Sequence, residues 1–196
     1  MNDWSNYFKT VTRKFNIPHK EFVEFWHSGD DSTSMTRGII TPEDFWKEAI
    51  NKFNLKSAED FDFLESWMGD CKPRKEVHSL VHKLVNKYKI GIISNIYKGM
   101  MPRLIEIGIV PDVKYSAVVL SCDVGFKKPE KEIYEIATKK AGMKPSGIFL
   151  IDDRRDFAKG AESAGWNTYR LDEKNIKKSV EKIEKILLSD ETYLSV

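Results

Sequence analysis

Residues 148–153 read IFLIDD, so four apolar residues are followed directly by two adjacent aspartates. An unbroken apolar run of this length is typical of a strand buried on both faces of a parallel sheet. Asp152 and Asp153 then stand at the carboxyl end of the strand, where open α/β sheets bind ligands. A divalent cation would offset the repulsion between the two anions. Either aspartate could instead cap the next helix, and the run alone does not decide between these interpretations.

Size and composition exclude several classes of protein. The chain has 196 residues, 41% hydrophobic and 32% charged, which suits one large domain or a domain with a small insertion. The net charge is +2 and no basic block is present, so we expect no nucleic-acid partner. We find no N-terminal h-region and no apolar run of about 18 residues, and therefore expect neither a signal peptide nor a membrane span. Cys71 and Cys122 form no C-x-x-C pair, which favours a reducing, cytoplasmic location.

The periodicity of the sequence changes after Pro73. Residues 4–63 carry apolar, mostly aromatic, side chains at helical spacing, with no evident strand. After Pro73 short apolar strands alternate with helices, which predicts right-handed βαβ units in a Rossmann-like parallel sheet. The predicted fold class is therefore α/β. We assign a helical subdomain to residues 14–73 and an α/β core to residues 1–13 and 74–196.

Two further segments place polar groups near strand ends. Ser94 and Asn95 follow the strand sequence IGII (90–93), and a hydroxyl with free N–H groups at such a turn can hold a phosphate oxygen. Lys128 precedes Pro129, at or near the first position of the next helix, so its ammonium could point toward the strand ends. Each signal is weak alone, because Ser-Asn also caps ordinary helices and most lysines are solvated.

The order and spacing of these segments resemble the haloacid dehalogenase-like (HAD) hydrolase superfamily. The resemblance runs through GIISN (91–95), SCDVGFKKPEKEIYEIA (121–137) and IFLIDDRRDFAKGAESAGW (148–166). RGIITPEDFWKEA (37–49) resembles the cap segment of a subgroup that contains small sugar-phosphate phosphatases and the phosphatase domain of epoxide hydrolases. The resemblance covers nearly the whole chain, and it implies that the helical subdomain is a cap that covers the site and selects the substrate.

The resemblance also implies roles for five residues. Ser94 and the backbone of Asn95 would bind the transferring phosphoryl group, and Lys128 would stabilise the charge on the nucleophile and the phosphoryl oxygens. Asp152 would ligate Mg²⁺, and Asp153 would support the metal or the lysine. The implied activity is a Mg²⁺-dependent phosphatase that acts on a small phosphorylated metabolite through an aspartyl-phosphate. The alternatives are an inactive binding protein of the same fold and a haloacid dehalogenase; the dehalogenase needs no metal, so the paired aspartates argue against it.

One element of the family pattern is missing from the sequence. Relatives carry the nucleophilic aspartate, and an acid/base aspartate two residues later, at the end of an apolar first strand. That strand lies between the strands that end here at Ser94 and Asp152. We expect the nucleophile and this first core strand to lie outside the sequence. The favoured explanation is that the recorded sequence starts too late. Another segment or a partner chain could also fill the gap, which would give a reason for a homodimer.

No other acidic segment replaces the missing motif convincingly. Asp60 and Asp62 have the right spacing but follow no apolar strand, so they are interpreted as the first turn of a helix. The Asp30–Asp31 pair lies in a predicted polar loop, and Asp3 is interpreted as a helix N-cap. A further departure is Phe157, which stands where relatives often carry asparagine.

Three other groups of side chains have both a structural and a functional interpretation. His78 and His82 have zinc-ligand spacing but no evident third ligand, so we interpret them as a solvated helix face. Cys122 follows a strand, and we interpret it as a buried structural cysteine rather than a reactive thiol. Four tryptophans could line a pocket but are interpreted as core. These are Trp4, Trp26, Trp46 and Trp67.

Overall fold

The computed structural model describes residues 4–28, 31–69 and 71–189. An N-terminal group of helices precedes a region in which helices alternate with parallel strands, which confirms the α/β class. The first group, called here the helical bundle, comprises α1 (Trp4–Lys14), α2 (His19–Ser28), α3 (Asp31–Thr36), α4 (Pro42–Phe53) and α5 (Phe63–Met68). The second region comprises α6 (Lys75–Leu84), β1 (Gly91–Ser94), α7 (Met100–Glu106), β2 (Ala117–Leu120), α8 (Ser121–Val124), α9 (Lys131–Ala141), β3 (Phe149–Asp152), α10 (Arg155–Ser163), β4 (Asn167–Arg170) and α11 (Ile176–Leu188).

Aromatic rings hold the helical bundle together. Phe22 and Phe45 are both 0% exposed, and the rings of Trp46 and Phe63 stack with their centroids 5.3 Å apart. Such pairs stabilise beyond the area they bury. The core interpretation is confirmed for the tryptophans whose side chains are described, which are Trp26, Trp46 and Trp67. The side chain of Trp4 lies outside the described residues.

The apolar cluster of the bundle extends beyond the predicted subdomain. Phe8 and Val11 of α1 belong to it, as do Met100 and Leu104 of α7. The bundle and the α/β region are therefore packed against each other through a shared apolar core, and the boundary at residues 14–73 stays a prediction. Within the described ranges, no helix is both long and apolar enough to cross a bilayer.

The four strands form two separate parallel pairs. β1 pairs with β2 in register from Gly91 opposite Ala117, and β3 pairs with β4 from Phe149 opposite Asn167. Among residues 4–28, 31–69 and 71–189, no strand pairs with the second edge of β1 or β3. The helix α9 packs on β2, and α10 packs on β3, β4 and α9. One apolar cluster contains Val119 of β2 and Leu150 of β3, so the two pairs share a core.

The open edges of β1 and β3 can be assigned to particular residues. Backbone groups of alternate residues in a strand point to opposite neighbours. The carbonyl of Ile90 accepts from the chain that leads into β2, and the carbonyl of Asp152 accepts from the residue after β4. Gly91 and Ile93 of β1, and Phe149 and Ile151 of β3, therefore direct their N–H and C=O groups away from their own partner strands. Those edges are available to pair with a further strand.

Candidate active site

Three segments that are distant in sequence meet at the carboxyl ends of β1 and β3. Lys128 lies in the loop between α8 and α9, and its Nζ is 2.6 Å from Oδ2 of Asp152. The backbone N–H of Lys128 donates to Oδ1 of Asn95 at 2.7 Å, and the Asn95 amide nitrogen donates to the Lys128 carbonyl at 2.9 Å. Ser94 is the last residue of β1 and precedes Asn95 directly. The structure therefore brings the predicted residues to one edge of the sheet region.

The ion pair between Lys128 and Asp152 is buried. The two side chains are only 8% and 9% exposed. Each charge has lost most of its hydration, and its attraction to the other charge offsets that loss. The Lys128 ammonium also lies 4.7 Å from the centre of the Phe157 ring, an arrangement that favours a cation. The other carboxylate oxygen of Asp152 accepts from the Arg154 N–H at 2.9 Å. Both charged groups are thus held in one geometry before any ligand binds.

The helix that follows the Lys128 loop, α9, begins slightly later than the sequence suggested. α9 begins at Lys131 with Glu130 as its N-cap, so Pro129 precedes the helix instead of occupying its first position. The peptide between Lys128 and Pro129 is cis. The Asn95 side chain, which bonds to both backbone groups of Lys128, sets the direction of the lysine. This bracing role of Asn95 has no local signal in the sequence, because it joins residues 33 positions apart.

The capping alternative for the two aspartates does not hold. The N-cap of α10 is Arg154, and it makes no side-chain capping hydrogen bond. Asp152 contacts the N–H of Arg154, which lies before the helix. Asp153 is half-buried, and burial, followed by the negative charge of Glu173, raises the pKa of its carboxyl. Within the described part of the chain the ion pair of Lys128 is with Asp152, and the role of Asp153 stays a prediction.

The donor set at this edge suits a magnesium ion bound together with a phosphate. Asp152 and Asp153 offer adjacent carboxylates, and among the described residues no group of three or more His, Cys, Asp and Glu forms a metal cluster. Mg²⁺ typically takes one or two protein carboxylates and completes its shell with water and substrate phosphate. The two aspartates would hold the ion, and the remaining positions would be left for those oxygens.

The remaining candidates lie elsewhere or have structural partners. The His78 ring nitrogen contacts the carbonyl of Ile109 at 3.1 Å, and His82 is exposed. Cys122 is buried, as interpreted from the sequence, and burial raises the pKa of its thiol to about 11, which disfavours the thiolate.

Two of the acidic candidates for a replacement nucleophile, Asp60 and Asp62, lie on the helical bundle. Asp62 is the N-cap of α5 and accepts from the N–H of Glu65 at 2.7 Å. Asp60 and Asp62 line a groove of about 270 Å³ on the helical bundle, between α4 and the segment before α5. Asp3 and Asp30 lie outside the described residues. Asp31 begins α3, so the predicted loop is partly helical, and its side chain is not among those described.

The carboxyl ends of β1 and β3 carry a serine and paired carboxylates, and the α8–α9 loop adds a lysine beside them. This arrangement in an α/β protein suits the binding of an anion together with a cation. The sequence model of the haloacid dehalogenase-like hydrolase family matches residues 2–171. The chain belongs to this family.

Solved structures share the fold. The HAD family enzyme bt-2542 from Bacteroides thetaiotaomicron, solved with magnesium and inorganic phosphate, has a TM-score of 0.68 at 23% identity over 86% of this chain and 84% of that chain. A predicted HAD-like family hydrolase from Porphyromonas gingivalis has a TM-score of 0.74 at 19% identity, covering 94% of this chain and 91% of that one. The L-2-haloacid dehalogenase from Xanthobacter autotrophicus has a TM-score of 0.58 at 15% identity, with 99% and 86% covered. The fold therefore accommodates more than one chemistry.

Proposed function

We propose that this protein is a Mg²⁺-dependent phosphatase that acts on a small phosphorylated metabolite in the cytoplasm. The observation that carries the proposal is the buried pair formed by Lys128 and Asp152, with Ser94 at the carboxyl end of β1. A lysine held beside a cation site suits a ligand with several negative oxygens better than a neutral carbon centre. The bt-2542 enzyme, solved with magnesium and inorganic phosphate, supports the same direction.

Each residue has a distinct task in the proposed reaction. The Ser94 hydroxyl and the Asn95 backbone N–H bind oxygens of the phosphoryl group, and the ammonium of Lys128 stabilises their charge in the transition state. Asp152 and Asp153 hold the magnesium ion, which when bound would neutralise phosphoryl oxygens. Because Asn95 and Asp152 already position Lys128, little rearrangement is needed when the phosphate binds.

The nucleophile is proposed to come from a strand that lies outside this sequence. An aspartate at the carboxyl end of a strand between β1 and β3 would attack phosphorus and displace the alcohol of the phosphate ester. Water would then cleave the aspartyl-phosphate and release inorganic phosphate. The open edges at Gly91, Ile93, Phe149 and Ile151 support such a strand, since they direct backbone donors and acceptors into the space that it would occupy. The helical bundle would act as the cap. A second copy of the chain is an alternative source of the strand and would make the active form a homodimer.

An assay with an aryl phosphate tests the proposal. We expect Mg²⁺-dependent hydrolysis of p-nitrophenyl phosphate by a form extended upstream with the in-frame residues that end in Asp-x-Asp, and far less by the chain alone. Lys128→Met in the extended form should lower kcat/KM by at least about a hundredfold. An extended form that contains the motif, folds and shows no Mg²⁺-dependent hydrolysis would contradict the proposal.

The chain alone and the extended form also distinguish the phosphatase from two alternative functions. An inactive binding protein of this fold is favoured by the lack of a nucleophile strand among the described residues, and it would bind inorganic phosphate without turnover in either form. A dehalogenase would release halide from a 2-haloacid without Mg²⁺. The paired aspartates favour the phosphatase, because that chemistry needs a cation and the dehalogenase chemistry does not.

A further inference from the structure

The loop that carries Lys128 is held from the bundle side as well as from β1. Arg37 follows α3, and one guanidinium nitrogen donates to the carbonyl of Gly125 at 2.7 Å and to Glu130 at 3.1 Å. Its other terminal nitrogen pairs with the second oxygen of the same Glu130 carboxylate. A two-point pair of this kind fixes orientation as well as distance.

The carboxylate of Glu130 passes this constraint to the backbone beside the lysine. One of its oxygens accepts from the N–H of Lys127 at 3.0 Å, and the Glu130 N–H donates to the Lys127 carbonyl at 2.8 Å. Lys128 thus lies inside a turn that Glu130 closes and Arg37 clamps. Asn95 holds the backbone of Lys128 itself. Arg37 contributes to this arrangement from the segment that follows α3 in the helical bundle.

The bundle touches the α/β region closely at the same place. Gly38 has a φ of +71°, and a Cβ there would lie 2.0 Å from the carbonyl oxygen of Cys122, so a side chain at this position would force the two backbones apart. Nearby, Lys127 Nζ donates to the Thr33 hydroxyl at 3.0 Å. The segment of residues 33–38 and the loop of residues 122–130 therefore form one contact surface.

We propose that Arg37 is a positioning residue that couples the seating of the helical bundle to the placement of Lys128. When the bundle is seated, the guanidinium closes the turn around the lysine and the ammonium points at the phosphate site. When the bundle moves away, the turn loses this clamp. The functional part of this inference rests on the proposed role of Lys128 in binding phosphate, whereas the link between Arg37 and the loop does not.

The chain provides a matched control for this ion pair. Arg103 of α7 makes a two-point pair with Glu65 of α5, with distances of 2.6 to 3.1 Å, and so also joins the bundle to the α/β region. Its side chain is 35% exposed against 28% for Arg37. The described partners of Arg103 are Glu65 and Glu106, and neither lies in the Lys128 loop.

The experiment compares Arg37→Met with Arg103→Met in the chain as it stands. Hydrogen exchange of the amides of residues 121–130 should be about tenfold faster in Arg37→Met and unchanged in Arg103→Met. Calorimetric titration with inorganic phosphate in the presence of Mg²⁺ should give an affinity about tenfold weaker for Arg37→Met and within about twofold of wild type for Arg103→Met. The affinity for Mg²⁺ alone should not change in either variant.

The outcomes separate this inference from the proposed function. If the two variants weaken phosphate binding equally, or if exchange in residues 121–130 is unchanged in Arg37→Met, the coupling is wrong. If wild type binds no phosphate, the proposed function of this chain fails, and the exchange measurement still decides whether Arg37 holds the loop. Should Arg37→Met fail to fold, Arg37→Lys replaces it. The lysine keeps the charge but loses the two-point geometry. We therefore expect amide exchange in residues 121–130 of Arg37→Lys to be faster than in wild type and in Arg103→Met, but slower than in a fully released loop. An exchange rate equal to that of wild type would overturn the inference.

Discussion

The helical bundle and the strand region of this protein are completed in different ways. In the bundle, aromatic side chains such as Phe22 and Phe45 are fully buried, and α4 begins with a capping box between Thr41 and Asp44. In the strand region, two pairs of strands present open edges, and β1 is only half-buried. A parallel sheet is normally covered on both faces and paired through its centre. The bundle therefore buries its aromatic rings in a continuous core, whereas among the described residues β1 and β3 each keep one edge without a partner strand.

Side chains join the two pairs of strands, between which the described residues form no backbone ladder. Asn95 and Lys128 link the end of β1 to the α8–α9 loop, and the ion pair from Lys128 to Asp152 continues the link to β3. The residues assigned to catalysis thus also act as the connection between the halves. We expect the sheet region to be the less stable part of the molecule and the one that responds most to added strands or lost charges.

The largest expected effect is that of filling the open edges. A form extended by an apolar strand should have a midpoint of thermal unfolding more than about 10 °C higher than the chain alone, because each new backbone hydrogen bond contributes about 0.5–1.5 kcal/mol. Calorimetry of the two forms measures the difference. The control carries proline at the centre of the added strand, where it cannot donate to the ladder. Equal midpoints for all three forms would show that the added strand does not pair with β1 and β3.

Matched truncations test the contrast between the two regions directly. Phe45→Ala should lower the free energy of unfolding by about 4 kcal/mol, because it leaves a cavity among fully buried rings. Phe149→Ala, in half-buried β3, should lower the free energy of unfolding by no more than about 2 kcal/mol, since this side chain is already partly open to water. Urea unfolding measures both. Equal losses would break the comparison on which the preceding paragraphs depend.

Removing one partner of the Lys128–Asp152 ion pair should destabilise the protein much more than removing both charges together. Asp152→Asn leaves the buried Lys128 ammonium without its counter-charge and should lower the free energy of unfolding by about 3 kcal/mol. The double variant Lys128→Met with Asp152→Asn should regain most of that loss, because no charge then remains buried. Urea unfolding of the four forms gives the coupling energy. A double variant as unstable as the sum of the single ones would show that the pair is not coupled.

The smallest expected effect is a pH dependence at the bundle contact. Hydrogen bonding to Arg103 lowers the pKa of the Glu65 carboxyl below its usual value. A group with a lowered folded-state pKa stabilises the protein above its unfolded-state pKa, and this stabilisation is lost as the pH falls through the folded-state pKa. Wild type should therefore unfold at a slightly higher temperature than Glu65→Gln at pH 7. The difference should shrink as the pH falls below the unfolded-state pKa of about 4.3 and should vanish below the folded-state pKa. A difference that persisted at low pH would not come from the charge of Glu65.

Much of the fold and part of the site followed from local patterns in the sequence. β2 spans Ala117–Leu120, as its apolar run predicts, and the strand before the paired aspartates spans Phe149–Asp152. The positions of Ser94 and Asp152 at strand ends follow from the same runs, because an apolar strand that stops at a polar residue marks its own end. The order of these segments along the chain was sufficient to indicate the family.

Only the tertiary structure decided which polar groups touch. It selected Asp152 instead of Asp153 as the partner of Lys128, and it placed the Asn95 amide on the backbone of Lys128 and the Phe157 ring beside its ammonium. It also joined Arg37 to Glu130, 93 positions later. The physical reason is that periodicity records which face of an element is buried, whereas these contacts depend on how separate elements pack.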